Sequence, residues 1–151
     1  MKRCYLFDID GTIANIDHRL HHITGETKDW PAFYSLCADD QPIPHMIELA
    51  HHLNALAPIL FVTGRSEECR EDTTIWLHGQ GFGVHFVAFP GRLRMRPVGD
   101  HRPDNIVKGE ILDAILAAGW APIMAFEDRT QVVEMFRSRG IPCAQVAPGD
   151  F

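Results

Sequence analysis

Short apolar runs alternate with amphipathic helical patterns along this chain, and that alternation restricts its fold more than any other feature. Residues 3–9 (RCYLFDI), 57–63 (APILFVT), 84–89 (VHFVAF), 121–127 (APIMAFE) and 141–147 (IPCAQVA) read as five strands. Between them, 43–56 sets Ile43, Met46, Ile47, Leu49, Ala50, Leu53 and Leu56 at helical spacing, and 66–81, 104–119 and 130–140 read as further helices. Ser66 stands as the cap of the 66–81 helix, which Gly79 or Gly81 ends. The pattern predicts one doubly wound α/β domain over residues 1–151, a central parallel sheet with helices on both faces. Residues 18–42 interrupt it as a small insertion or lid, with a short helix capped by Asp29 and carrying Pro31 in its first turn.

Charge and composition narrow the function. Lys and Arg total 14 against 20 Asp and Glu, a net −6 that excludes a generally basic, nucleic-acid-coating surface but leaves room for a local groove. The segment 92–108 suggests one, since Arg92, Arg94, Arg96, Arg102 and Lys108 outnumber Asp100 and Asp104 there. The first apolar run stops at Asp8, too early for an export signal, and no segment approaches the roughly 20 apolar residues of a membrane span. The four cysteines are scattered with no CxxC pair, as expected of reduced thiols in a cytoplasmic protein. His18, His21, His22, His51 and His52 read as surface residues, and GQGFG (79–83) as a helix stop.

Ligands of a doubly wound sheet sit outside the carboxyl ends of its strands. The first strand ends in Asp8 and Asp10, the second in Thr63, Gly64 and Arg65, and the 121–127 strand in Glu127, Asp128 and Arg129. Carboxylates delivered by separate strands repel one another unless a cation joins them. Oxygen ligands of this kind suit Mg²⁺, with Asp8 and Asp128 as the direct candidates and substrate phosphate completing the shell. The Thr63 hydroxyl, with N–H groups at the following helix start, would hold phosphate oxygens. Lys108, one turn into its helix, would neutralise nucleophile and phosphate. An aspartate nucleophile, a metal, a hydroxyl and a lysine are what phosphoryl transfer through an aspartyl-phosphate needs.

The stretch DIDGT resembles the first motif of the haloacid dehalogenase (HAD) superfamily, and Thr63, Lys108 and Glu127–Asp128 match its second, third and fourth motifs in order. The resemblance implies Asp8 as nucleophile, Asp10 as general acid/base that also lends a backbone carbonyl to the metal, and a metal set of Asp8, Asp10, Asp128 and Glu127. Over the full length, DIDGTIANIDHR, VTGR, GDHRPDNIVKGEI and EDRTQVVEMFRSRGIPCAQVAPGDF look like the 3′-phosphatase domain of bacteriophage polynucleotide kinase. This implies a Mg²⁺-dependent phosphomonoesterase acting on 3′-phosphorylated nucleic acid ends, and adds Arg19, Arg65, Arg96 and Asp104 to the functional set. Gly64 of the second motif and Arg102 of the basic segment join them on the substrate side.

The family usually carries Asp where Glu127 stands. Its kinase half has no counterpart here, because no GxxxxGK[ST] loop occurs, so a kinase would be a separate partner. A phosphatase of free nucleotides or other small esters is the alternative within the fold. A phospho-accepting receiver module also gathers acids and a lysine, but it sets its acid pair adjacent and its acceptor on a later strand. Trp30, Phe33 and Tyr34 suit either stacking on a base or packing of the lid.

Overall fold

A computed structural model of the chain describes residues 1–83 and 90–149. Five strands form the main sheet: β1 (Lys2–Phe7), β4 (Ile59–Ser66), β5 (Leu93–Arg96), β6 (Trp120–Glu127) and β7 (Cys143–Gln145). Their order is β5-β4-β1-β6-β7 and every pairing is parallel. The chain thus moves outward from β1 through β4 and β5, then crosses to β6 on the other side. The reversal puts a crevice at the carboxyl end of β1, between β4 and β6.

Strand alternation divides the core into two layers. Phe7, Ile59, Phe61 and Phe126 face α3 (Pro44–Leu56), through Met46 and Ala50, and α4 (Arg70–Leu77), through Trp76 and Leu77. Leu6, Leu60, Val62 and Ala125 face α5 (Asp104–Ala117), through Leu112 and Ile115, and α6 (Thr130–Ser138), through Val132, Val133 and Phe136. Helices on both faces of a parallel sheet are the expected architecture. The 84–89 run lies outside the described residues.

Three local expectations change. The strand beside β4 among the described residues is Leu93–Arg96, inside the segment read as a basic surface. Leu93 and Met95 are buried in the core while Arg94 and Arg96 alternate with them, a strand pattern that its charges obscured. Ser66 ends β4 and caps a 3₁₀ turn at Glu67–Cys69, its hydroxyl accepting from the Glu68 N–H. The helix proper begins at Arg70 and stops at Leu77, giving way to a wide turn at His78–Phe82 with Gly81 at φ 88°.

The insertion is anchored earlier than residue 18. Strands β2 (Ala14–Asn15) and β3 (Gln41–Pro42) pair antiparallel at its base. Between them lie a 3₁₀ turn (Asp17–Arg19), α1 (His21–Thr24), α2 (Trp30–Ser35) and a second 3₁₀ turn (Cys37–Asp39). The Asp29 carboxylate caps α2 by accepting from the Ala32 N–H at 3.0 Å, with Pro31 in the first turn. Among the described residues no helix is long and apolar enough to cross a membrane.

Candidate active site

The first strand ends where the Asp8 N–H donates to the Phe126 carbonyl at 3.0 Å. The chain then turns around one acceptor, the Ile9 carbonyl, which takes the N–H groups of Thr12, Ile13 and Ala14. Gly11 has φ 80°, a left-handed conformation that glycine adopts without strain, and a Cβ there would overlap the Asp128 carboxylate. The glycine therefore lets the first and fourth motifs touch.

Asp8 is buried among acids. Lys108 Nζ donates to Asp8 Oδ1 at 2.8 Å and to Glu127 Oε2 at 2.7 Å, and lies 3.2 Å from Asp104 Oδ2. Thr12 donates its hydroxyl to Asp8 Oδ2 at 3.2 Å. Asp104 and Lys108 are one turn apart on α5, so the helix presents both to the strand ends. Burial, then the Glu127 charge, pushes the Asp8 carboxyl up to about 8 against the pull of Lys108. Burial raises Glu127 to about 7 in spite of Lys108, and burial together with the Asp8 charge raises Asp128 to about 6. Asp104 is met by Arg96 and Arg129 as well, so positive charge runs short around Asp8, Glu127 and Asp128, where Lys108 is the shared ammonium.

Asp10, in the same turn, faces the other way. Its Oδ1 accepts from Arg65 Nε and Nη2 at 2.8 and 2.6 Å, and from Arg19 Nη2 at 2.9 Å. Burial opposes ionisation, but Arg65 and then Arg19 outweigh it and hold the Asp10 carboxyl below its ordinary value. Both guanidiniums are fully buried and share a second acid, Asp40: Arg19 reaches it through Nε and Nη2 at 2.7 and 2.6 Å, and Arg65 Nη2 at 2.7 Å. Thr73 accepts from Arg65 Nη1, and Phe33 lies under Arg19 with its ring centre 4.2 Å from the guanidinium carbon.

The second motif forms the rim between these neighbourhoods. Buried Thr63 accepts the Arg65 N–H at 3.1 Å, which leaves its hydroxyl proton to donate. Gly64 presses on α5, and a Cβ there would overlap Asp104 Oδ1. Its carbonyl takes Arg96 Nε at 2.9 Å and the Tyr34 hydroxyl at 3.3 Å. Arg96 also donates to the Asp100 and Arg102 carbonyls and to Asp104 Oδ1.

The structure therefore joins Asp8, Asp10, Thr63, Gly64, Arg65, Arg19, Arg96, Asp104, Lys108, Glu127 and Asp128 in one network. Arg102 stands apart: its exposed guanidinium pairs with Asp100 and Glu110. Within the segment 92–108, expected to carry a local basic groove, Arg96 and Lys108 donate into the network and Arg102 to its own acidic neighbours. Sequence reasoning missed Asp40. Its signal was indirect: two buried arginines need more negative charge than Asp10 alone supplies.

The donor set fits a hard cation. Asp8, Glu127 and Asp128 each offer an oxygen, all within 4.8 Å of one another. Asp128 Oδ1 is buried without a hydrogen-bond partner, a cost that a metal ion would relieve. Glu127 is differently placed: Oε2 faces Lys108, and Oε1 accepts the Asp128 and Arg129 N–H groups at 3.0 and 3.1 Å. The Asp10 side chain is held by arginines, outside this three-carboxylate group.

Comparison with known proteins agrees with this geometry. The family model of the polynucleotide kinase PNKP phosphatase domain matches residues 2–151. A protein of Autographa californica nuclear polyhedrosis virus, named bifunctional polynucleotide kinase/RNA ligase, is 28% identical over 142 residues, 93% of this chain but 18% of that protein. A chain of the Pnkp1/Rnl/Hen1 complex shares the fold with a TM-score of 0.78 at 24% identity, covering 100% of this chain and 47% of that one. A haloacid dehalogenase-like hydrolase from Streptococcus pneumoniae aligns with a TM-score of 0.56 at 14% identity, over 95% of this chain and 83% of its own. This chain belongs to the PNKP phosphatase-domain family and is a phosphomonoester hydrolase of the HAD type.

Proposed function

We propose that the chain is a Mg²⁺-dependent phosphatase that removes 3′-phosphates from polynucleotide ends through an aspartyl-phosphate on Asp8. The observation that carries this reading is the meeting of Asp8 with Lys108 on one side and the unpartnered Asp128 oxygen on the other. Asp8 and Asp128 would hold the metal directly, with Glu127 beside it orienting Lys108 and the start of α6. A bound Mg²⁺ supplies charge that offsets the repulsion between Asp8 and phosphate.

The Asp8 carboxylate attacks phosphorus, the P–O ester bond breaks, and Asp10 gives the leaving oxygen its proton. Ionised Asp10 then takes a proton from water, which attacks the phosphorus, breaks its bond to Asp8 and releases inorganic phosphate. Arg65 and Arg19 make the carboxylate Asp10's resting form, so Asp10 takes up a proton from solvent as the arriving phosphate raises its proton affinity by repulsion, and the proton taken from water in the second step restores that acid form. Thr63 donates to a phosphate oxygen and Lys108 neutralises another. Gly64, Arg96 and Asp104 hold the rim against α5, while Arg19 and Arg65 position Asp10.

The nucleic-acid substrate is supported by the family and by the relatives' names. The chain spans less than half the length of the viral protein and of the Pnkp1-complex chain, so a kinase activity belongs to a separate partner or segment in this reading. A cytoplasmic location is supported by four buried free cysteines. The test is kcat/KM for a 3′-phosphorylated oligonucleotide, its 5′-phosphorylated counterpart and a 3′-mononucleotide, each with excess chelator and with Mg²⁺ restored. The 3′-oligonucleotide is expected to be fastest, and only with metal. Equal or better rates on the free nucleotide transfer the reading to small esters, and full activity in chelator removes the metal.

A further inference from the structure

The chemistry above leaves one feature of the insertion unused. Helix α2 carries three aromatic side chains, and they are not equivalent. Phe33 is 4% exposed and supports Arg19, which accounts for it as packing. Tyr34 is half-buried, and its hydroxyl is fixed to the Gly64 carbonyl at 3.3 Å. Asp10, Asp104 and Arg96 are among the charges acting on that hydroxyl, so Tyr34 rims the reaction site. Trp30 stacks on Tyr34 with ring centres 5.9 Å apart and meets the edge of Phe33 at 5.7 Å, yet it stays 37% exposed.

Among the described residues, Trp30 is the one aromatic in the set of exposed large hydrophobic side chains. Lid packing explains Phe33, but it does not explain an indole left open to solvent beside the rim. Lys28 adds positive charge there, its Nζ lying over the Trp30 ring at 5.9 Å from the centre. An exposed indole backed by a second ring, with a lysine ammonium over it that a stacking base can displace toward its own backbone phosphate, is the composition of a single-strand stacking site.

We infer that Trp30, backed by Tyr34, is a stacking platform for the nucleobase of the nucleotide whose 3′-phosphate is removed, with Lys28 beside the neighbouring backbone phosphate. The Tyr34–Gly64 bond fixes the platform's distance from Thr63 and Arg65, so a stacked base orients the ester relative to Asp8. The platform is indifferent to base identity, because every base offers a π-face. This inference rests on the polynucleotide-end reading of the site.

Trp30→Ala and Trp30→Phe are compared with the wild type on three substrates: a 3′-phosphorylated oligonucleotide, the same strand with an abasic 3′-terminal residue, and an alkyl phosphate. Trp30→Ala should lower kcat/KM on the first by about 5- to 50-fold, mainly through KM, and Trp30→Phe should recover most of it. The abasic strand should be slow with the wild type and indifferent to Trp30→Ala, and the alkyl ester should be unchanged. Equal losses on all three substrates overturn the platform in favour of lid packing, and so does a wild type that ignores the missing base. A wild type that fails to hydrolyse the 3′-oligonucleotide overturns the substrate reading instead. Indole quenching by a 3′-mononucleotide then decides the platform separately: loss of the quench in Trp30→Phe supports it, and no difference between the two proteins overturns it.

Discussion

Asp8 and Asp10 are two residues apart in one turn, yet they belong to opposite electrostatic neighbourhoods. Around Asp8 one ammonium, Lys108, is shared with Glu127 while Asp128 adds a further charge, and Asp104 is met by Arg96 and Arg129 as well as by Lys108. Around Asp10 two guanidiniums are divided between Asp10 and Asp40. The first group is short of positive charge and the second is balanced, so burial raises the Asp8 carboxyl to about 8 while arginines keep Asp10 below its ordinary value. Environments that push two carboxylates apart assign them different tasks. In the proposed mechanism Asp8 would need a cation before acting as nucleophile, whereas Asp10, ionised at rest, would have to take up a proton as substrate binds before acting as the acid.

The largest break in this comparison is Asp8→Asn. The amide keeps the side chain's shape and removes the attacking charge, so turnover should fall by about 10⁴-fold or more while the fold survives. Substantial residual phosphatase activity in the purified variant would remove Asp8 from the nucleophile's place. Asp10→Asn should cost about 10²–10⁴-fold on an alkyl ester and distinctly less on a nitrophenyl ester, whose leaving oxygen needs little protonation. Equal losses on both esters would show that Asp10 does not serve as the acid.

Asp40 sharpens the comparison from the arginine side. Removing one partner of a buried ion pair leaves uncompensated charge and typically costs about 3–5 kcal/mol. Asp40→Ala should therefore destabilise by about that amount in urea unfolding, and Asp40→Asn by less, because the amide oxygen still accepts from one guanidinium. Stability within error of the wild type in both variants would mean that Asp10 alone balances Arg19 and Arg65.

Asp40 also marks where the sequence stopped being legible. Asp8, Asp10, Thr63, Lys108 and Asp128 sit at strand ends or one turn into a helix, so order and spacing alone brought them to one rim. Asp40 reaches the site from the end of the insertion, whose path no periodicity reveals. Glu127 was ambiguous because its extra methylene lets one oxygen meet Lys108 while the other takes two N–H groups, a division visible only in three dimensions. The β5 strand was hidden for another reason: in Leu93–Arg96 the period-two pattern rests on two apolar residues, and the arginines between them suggested a surface loop.

The last break is read in the dependence of stability on pH in the metal-free protein. Asp8, Glu127 and Asp128 are raised from 3.8, 4.5 and 3.8 to about 8, 7 and 6. Between the unfolded and folded values the native state binds more protons than the unfolded chain, so stability falls as pH rises through that window. Asp10 acts with the opposite sign: its contribution is present above 3.8 and is lost only as pH falls through a still lower folded value. The metal-free Tm should therefore decline between about pH 4 and about pH 8, and the rise in Tm on adding Mg²⁺ should grow over the same range. The informative quantity is the difference between wild type and variant. Asp8→Asn should flatten the metal-free slope, and Asp10→Asn should leave it as it is. If Asp8→Asn keeps the wild-type slope, the acids around Lys108 are not crowded in the folded protein, and the contrast between the two aspartates loses its electrostatic basis.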